Sequence, residues 1–136
     1  MSFELDNRLS SSSFKIYDST LSEVRLKNNK HYPWIILIPR IENNVTEIFQ
    51  LTTAEQMELM REISHISNCI KNHFNPDKIN VGALGNIVSQ MHIHIIARNQ
   101  NDLLWPHSVW QSSLAEENYT ADEANALIET LREKFK

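Results

Sequence analysis

The feature that most constrains the fold is the run QMHIHIIAR at residues 90–98. Apolar and polar residues alternate along it with a period of two, which is typical of a β-strand that packs one face against a core. The other face of the strand would therefore carry several polar groups together, as expected for a functional site. The apolar face would carry Met91, Ile93 and Ile95, and the polar face Gln90, His92, His94 and Arg98.

The only two glycines of the chain, Gly82 and Gly85, lie just upstream of this run. Glycine permits positive φ angles and close approach of the backbone to a ligand. Backbone N–H groups of such a turn can face an anion, so the turn is a candidate part of the site. A hairpin that simply needs glycine in its turn explains the same residues, and the glycines alone do not separate these interpretations.

Length and charge limit the classes of function. A chain of 136 residues suits one domain, here 1–136, that buries a core without disulfides. The single Cys69 falls within a predicted helix, which favours a packing role and a reducing compartment. No signal segment opens the chain and no stretch reaches membrane-spanning length, so we expect a cytoplasmic protein without a membrane partner. The net charge of -4 argues against a nucleic-acid partner, because basic surfaces provide that affinity.

Three strands are predicted in the first 40 residues. Residues 1–13, which include four consecutive serines, are expected to form a loose lead-in. The alternating stretches Phe14–Tyr17 and Glu23–Lys27 predict short strands. The unbroken apolar run Trp34–Ile38, ended by Pro39, predicts a strand that is buried on both faces in the middle of a sheet.

Two helices are predicted from capping boxes and apolar stripes. Thr52 with Glu55, or Thr53 with Gln56, would open the first helix, and Pro76 would end it. Its stripe contains Leu59, Ile63, Ile66 and Ile70, widened by Met60 and Cys69. Thr120 with Glu123 would open a C-terminal helix over 120–135, with a stripe of Ala124, Ile128, Leu131 and Phe135.

The order of elements predicts an α+β fold, an antiparallel sheet with helices on one face. Residues 78–84 would form a strand that leads into the glycine turn, and the histidine strand follows. The segment 99–119 holds Trp105 and Trp110 in a loop that contains proline. These rings could line a pocket for a planar group or pin the loop to the core, and we favour pinning for one of them. His65 and His73 are expected at the surface of the first helix.

Three chemistries are compatible with the histidine face. A neutral imidazole is a competent nucleophile near neutral pH, and an intermediate on phosphorus would be hydrolysed in a second step. Metal binding is the second, although zinc takes three or four ligands and the chain has neither a CxxC nor an HExxH motif. The third is a binding module whose polar strand face does no chemistry.

The segment 80–98 resembles the signature of the histidine triad (HIT) family of nucleotide hydrolases and transferases. In that family the strand reads His-φ-His-φ-His-φ-φ, where φ is apolar, and this chain reads QMHIHII after a Gly85-Asn86 pair. The resemblance extends from about Phe3 to Trp110, and includes the run YPWIILIPR at 32–40 and the Trp105-Pro106 pair.

The resemblance implies a five-stranded antiparallel sheet, a homodimer with a continuous sheet, and hydrolysis at the α-phosphorus of a nucleotide, with a purine nucleoside phosphate expected. It implies no cofactor and no metal. His92 matches the histidine that attacks phosphorus, and His94 matches the one that contacts phosphate oxygens. By position, Asn80, Gly85 and Asn86 are candidates to bind the nucleotide, and Arg98 could pair with a phosphate bidentately.

Two positions depart from the family pattern. Gln90 replaces the first histidine, so a carboxamide that cannot relay a proton near neutral pH joins the catalytic candidates His92 and His94. Trp34 stands where many members have another histidine. Glutamine at the first position resembles a bacterial branch described as diadenosine-tetraphosphate-hydrolase-like. His31 or water would then be the proton donor to the leaving group. The hypothesis is a nucleotidyl hydrolase, and the alternative is a nucleotide-binding module with little or no turnover.

Overall fold

Five antiparallel strands form one sheet, in the order β1-β2-β3-β5-β4, in the computed structural model, which describes residues 2–42 and 45–136. Three helices and a 3-10 turn at Ile48–Gln50 accompany the sheet. The predicted α+β architecture of a five-stranded antiparallel sheet with a long helix and a C-terminal helix is confirmed. The elements are α1 (Asn7–Ser11), β1 (Ser13–Asp18), β2 (Ser22–Lys27), β3 (Trp34–Pro39), α2 (Thr53–Phe74), β4 (Lys78–Gly82), β5 (Ile93–Arg98) and α3 (Ala121–Phe135).

The two long helices begin at capping boxes. The hydroxyl of Thr52 accepts a hydrogen bond from the backbone N–H of Glu55, whose carboxylate accepts one from the N–H of Thr52. The same reciprocal pair forms between Thr120 and Glu123. Each pair satisfies backbone donors that a helix start otherwise leaves without partners. Asn75, with a φ of 48°, ends α2 one residue before the proline.

Both long helices pack against one face of the sheet. The four apolar residues predicted for the stripe of α3 are all buried, and α2 buries Leu59, Ile66 and Ile70 in the same cluster. Met60 is 61% exposed, so the prediction that it widens the stripe of α2 is wrong. Cys69 is a free thiol that packs at the edge of this core. Across the described residues, no helix has both the length and the apolar character needed to cross a bilayer.

The opposite face of the sheet, here called the site face, is also covered. Strand β5 is therefore buried on both sides, whereas the sequence predicted that its histidine face is open. The N-terminal segment, predicted to be a loose lead-in, contributes to the cover through helix α1; Met1 lies outside the described residues. The second apolar cluster contains Leu9, Tyr32, Trp34, Ile36, Ile38, Ile96 and Val109.

Candidate active site

A cavity of about 670 Å³ lies on the site face. Strand β3 contributes Trp34 and Ile36, β5 contributes His94, and His92 lies one residue before β5. His94 lies directly across from Ile36 on one side and from Gly82 on the other, because β5 pairs with both β3 and β4. Helix α1, residues 84–88 and residues 109–114 complete the wall.

His92 lies in the cavity wall with only 7% of its surface exposed. Its ring Nδ1 lies 2.7 Å from the backbone carbonyl oxygen of Gln90. Since a carbonyl oxygen can only accept, Nδ1 must carry the proton. The neutral ring therefore has its lone pair on Nε2, the nitrogen that a nucleophilic role requires.

His94 is held in the opposite tautomer. The indole Nε1–H of Trp34 donates to Nδ1 of His94 at 2.9 Å, so the proton of the neutral ring is on Nε2. Burial lowers the pKa of His94 to about 3, and the nearby His92 and Lys27 contribute to the shift. His94 is therefore a neutral hydrogen-bond donor throughout the physiological pH range.

The two imidazoles are in contact, and one can accept a hydrogen bond where the other can donate one. Their ring centroids are 4.9 Å apart, and the rings are nearly perpendicular. Trp34 and Trp110 contact the ring of His94 edge-on, at centroid distances of 5.7 and 5.6 Å. A lone pair on one ring and an N–H on the other can serve an attack on phosphorus and a hydrogen bond to one of its oxygens.

Both glycines shape the cavity, for different reasons. A Cβ on Gly82 would lie 2.7 Å from Cη2 of Trp110, so only glycine lets this ring pack on β4 beside His94. Gly85 has a φ of 75°, in the left-handed region that glycine favours, and it turns the chain between β4 and β5. Gly85 and Asn86 both line the cavity, where the sequence predicted a nucleotide-binding role for them.

Among the described residues, two cations line the cavity, and only one of them forms an ion pair. The guanidinium of Arg8 pairs with Asp6 at 3.1 Å and donates to the carbonyl oxygen of Ile87 at 3.0 Å. The Nζ of Lys27 lies over the Trp34 ring, 5.7 Å from its centre. Among residues 2–42 and 45–136, this ammonium has no ion-pair or hydrogen-bond partner. It is therefore available to an anion that enters the cavity.

The side chain of Gln90 does not share the cavity with the histidines, which corrects the prediction from strand alternation. Its carboxamide accepts from the N–H of Asp6 and donates to the carbonyl oxygen of Glu4, each at 2.8 Å. Strand β5 begins at Ile93, so residues 90–92 do not continue its alternation. Gln90 contacts the nucleophile candidate only through its backbone carbonyl, and its side chain tethers the N-terminal segment.

Arg98 lies in a separate network with Asn80, which corrects the prediction that Arg98 binds phosphate, whereas a role of Asn80 in nucleotide binding stays a prediction. Arg98 is 1% exposed, and its guanidinium donates to both carboxylate oxygens of Asp102 at 2.8 and 3.0 Å. It also donates to Asn80 Oδ1 at 3.0 Å and to the carbonyl oxygen of His107 at 2.8 Å. With these partners, the guanidinium has no free edge for a phosphate.

The remaining histidines of the sequence analysis lie outside the cavity wall. His31, considered above as a proton donor, pairs with Glu117 at 3.3 Å. His65 and His73 are exposed on α2, as predicted, and His65 Nε2 donates to the carbonyl oxygen of Phe135. Within the described residues, no group of three or more His, Cys, Asp or Glu side chains could hold a metal ion.

Sequence reasoning missed the roles of Trp34 and Lys27. The sequence pattern places Trp34 in a buried strand and marks it as a departure from a family motif, and it places Lys27 at the end of a strand. A signal for Lys27 was present, because the two-residue period of β2 puts it on the face opposite Leu26. Of the two tryptophans in the 99–119 loop, Trp110 lines the cavity, and Trp105 lies against Arg98, 5.9 Å from its Cζ.

The chain is similar to one protein family and to solved structures of proteins from three bacteria. The model of the HIT domain family matches residues 8–101. A histidine triad protein from Bradyrhizobium japonicum is 38% identical over 100% of both chains, with a TM-score of 0.94. One from Marinobacter aquaeolei VT8 is 35% identical over 100% of both chains, with a TM-score of 0.93. One from Sinorhizobium meliloti 1021 is 36% identical over 97% of this chain and 96% of that one, with a TM-score of 0.92. No curated protein matches the sequence.

Proposed function

This chain belongs to the HIT domain family, and from that membership we propose that it is a nucleotidyl hydrolase. The proposed reaction is cleavage at the α-phosphorus of a dinucleoside polyphosphate, such as diadenosine tetraphosphate, or of a related nucleoside phosphate ester or phosphoramidate. We expect the nucleoside of the substrate to be a purine nucleoside. Glutamine at position 90 favours the bacterial branch that resembles diadenosine tetraphosphate hydrolases.

The observation that supports this proposal is the fixed tautomer of His92. The carbonyl oxygen of Gln90 accepts the Nδ1 proton, which leaves Nε2 as a lone-pair donor in the cavity wall. In the proposed first step, Nε2 attacks the α-phosphorus and the leaving-group oxygen departs with the bonding electron pair. Water then attacks the nucleotidyl-histidine, the electron pair of the P–N bond returns to Nε2, and the proton of the attacking water is released to solvent.

Three other side chains have proposed roles in stabilising charge. The Nε2–H of His94 would donate to a phosphoryl oxygen next to the attacked phosphorus. The ammonium of Lys27 would attract the negative charge of the phosphate chain, since it has no ion-pair partner among the described residues. Asn86 would contact the substrate from the turn that Gly85 makes possible.

The test of this function is the loss of His92. We expect His92→Ala to lower turnover of diadenosine tetraphosphate by at least ~100-fold, because the covalent catalyst is removed, and to leave nucleotide binding measurable. His73→Ala is the matched control, since that histidine is exposed on α2 and does not line the cavity. Unchanged activity of His92→Ala would contradict the mechanism.

The alternative is a nucleotide-binding module with little or no turnover, which Gln90 and Trp34 favour because neither can carry a catalytic proton. Acid quench after brief incubation with substrate, followed by peptide mass spectrometry, separates the two. A nucleotidylated peptide that contains His92 belongs only to the enzyme. Running dinucleoside polyphosphates and nucleoside phosphoramidates with EDTA present also tests metal dependence, because a metal enzyme would lose activity.

We also propose that two copies of the chain pair through the free edge of β4. Strand β4 is the last in the sheet order, and Val81 on it is 48% exposed. An edge strand with an exposed apolar residue is prone to pair with another strand. A twofold axis at this edge would join the two sheets into one.

A further inference from the structure

We infer that Trp34 is a positioning residue that holds His94 as a neutral donor, so that His94 does not protonate the leaving group. Only the part of the inference about the leaving group rests on the proposed function. The part about the tautomer of His94 concerns the free protein and can be measured without any substrate.

The tautomer of His94 follows from the chemistry of its partner. An indole nitrogen donates and never accepts, so the 2.9 Å contact puts the lone pair of Nδ1 toward Trp34. Protonation of His94 would give Nδ1 its own hydrogen and set two N–H groups against each other. His94 can therefore become an imidazolium only by breaking its bond to Trp34.

The surroundings of His94 oppose protonation from every side. The ring is 9% exposed, and Trp34 on β3, Trp110 of the 99–119 loop and His92 contact it with their rings. The titratable and charged groups around it are His92, two residues earlier in the chain, and Lys27 on β2, and a positive charge on either of them disfavours one on His94. On β4 its partner is Gly82, which carries no side chain.

Among the described residues, three other charged side chains line the two cavities that His92 borders. Lys27 and Arg8 lie in the wall of the first cavity, and Arg8 is bound to Asp6. Glu47 lines the neighbouring cavity, and its backbone carbonyl accepts the N–H of Gln50. The carboxamide of Gln90 is held by residues 4 and 6.

A consequence for the reaction is that the leaving group departs without a proton from His94. The electron pair of the broken P–O bond stays on the leaving oxygen, whose negative charge the ammonium of Lys27 would attract. Phosphate oxygens tolerate that charge, whereas amines and alkoxides do not. The structure therefore favours phosphoric anhydrides over phosphoramidates, which need protonation of the departing nitrogen.

The first test is ¹⁵N NMR of the histidine rings in the free protein. We expect His94 to show the Nε2–H tautomer and to stay neutral down to about pH 4, given a pKa of about 3. Trp34→Phe, which keeps an aromatic ring and removes the donor, should release the ring into a mixture of tautomers. Trp110→Phe is the matched control, because Trp110 contacts the same ring and its Nε1 has no hydrogen-bond partner.

Two results would overturn the positioning role. One is an Nδ1–H tautomer, or a titration near pH 6.5, for His94 in the unmodified protein. The other is an equal effect of the two tryptophan substitutions on the tautomer. Because the first measurement uses the unmodified protein, poor folding of Trp34→Phe would not hide the answer.

The second test measures how the rate depends on the leaving group. Adenosine 5′-phosphate esters of phenols with graded pKa values serve as substrates. We expect kcat/KM to fall by roughly tenfold for each two-unit rise in the pKa of the phenol, as for a departing anion that receives no proton. A rate independent of the phenol would overturn the inference that His94 gives the leaving group no proton. A protein that cleaves none of the esters would contradict the proposed function, whereas the NMR result would still decide the role of Trp34.

Discussion

At the scale of single residues, the site is defined by which nitrogen of each histidine carries the proton. His92 and His94 have the same side chain and nearly the same burial, but a carbonyl oxygen contacts Nδ1 of one and an indole N–H contacts Nδ1 of the other. The first ring becomes a potential nucleophile and the second a potential donor. The two histidines thus differ in chemistry because Nδ1 of one contacts a hydrogen-bond acceptor and Nδ1 of the other contacts a donor.

A first prediction concerns His94 and pH. Its pKa in the folded protein, about 3, lies below the unfolded value of ~6.5, so the unfolded chain binds the extra proton between these values. The contribution of His94 to the free energy of unfolding is complete above pH ~6.5 and is lost as pH falls toward 3. We expect the slope from this residue to approach ~1.4 kcal/mol per pH unit within that window.

The measurement is urea unfolding of the unmodified protein and of His94→Gln at several values from pH 7 to pH 4. Glutamine can still accept the hydrogen bond from Trp34 but does not titrate. The unmodified protein should lose stability relative to His94→Gln as the solution becomes more acidic. The exposed His73→Gln is the control, and parallel curves for all three proteins would contradict the prediction.

At the scale of elements, a buried ion pair fixes the loop that follows β5. The side chains of Arg98 and Asp102 are 2% and 8% exposed, and the carboxylate of Asp102 also accepts the backbone N–H groups of Asn99, Leu104 and Trp105. This loop carries Val109 into the second core and Trp110 to the cavity. The pair is therefore structural, and it acts on the site by holding the loop.

A second prediction follows from the burial of this pair. Asp102→Ala leaves the guanidinium of Arg98 without a countercharge in a buried position, so we expect a loss of about 3 kcal/mol or more in the free energy of unfolding. Urea unfolding measures it. Glu129→Ala, on the exposed side of α3, removes a carboxylate from the surface and should change stability by less than ~0.5 kcal/mol. Equal effects of the two substitutions would show that the ion pair contributes nothing.

At the scale of the whole molecule, the two faces of the sheet serve different purposes. Helices α2 and α3 cover one face with a continuous apolar core. The other face has a smaller apolar cluster, beside which the cavity and its histidines lie. The free edge of β4 is next to this site, because Gly82 pairs with His94. A second copy at that edge would therefore lie close to the glycine turn.

A third prediction concerns assembly. Val81→Lys puts a positive charge on the exposed edge of β4, and in a twofold pair two such charges would meet, so we expect a shift from dimer to monomer. Light scattering coupled to size-exclusion chromatography measures the mass directly. Asn125→Lys adds the same charge to an exposed position on α3, which packs near β1 at the other end of the sheet, and should leave the mass unchanged. A monomeric unmodified protein would refute the proposed pairing.

Local sequence determined the elements of this protein. The period of two in β5, the apolar run of β3 and the two threonine boxes act over a few residues, so they predicted the sheet, both long helices and the neighbourhood of His92 and His94. They also brought Gly85 and Asn86 to the site, since these lie in the short connection between two paired strands.

Only the tertiary structure decided which polar side chains reach the cavity. Gln90 and Arg98 find partners at Glu4, Asp6 and Asp102 that a pattern in 90–98 does not reveal, and these contacts remove their side chains from the site. Trp34 and His94 are 60 residues apart in the sequence, and they form a hydrogen bond because β3 and β5 are neighbours in the sheet. The physical reason is that a hydrogen bond depends on which donor the fold places opposite each acceptor, and that choice is not local.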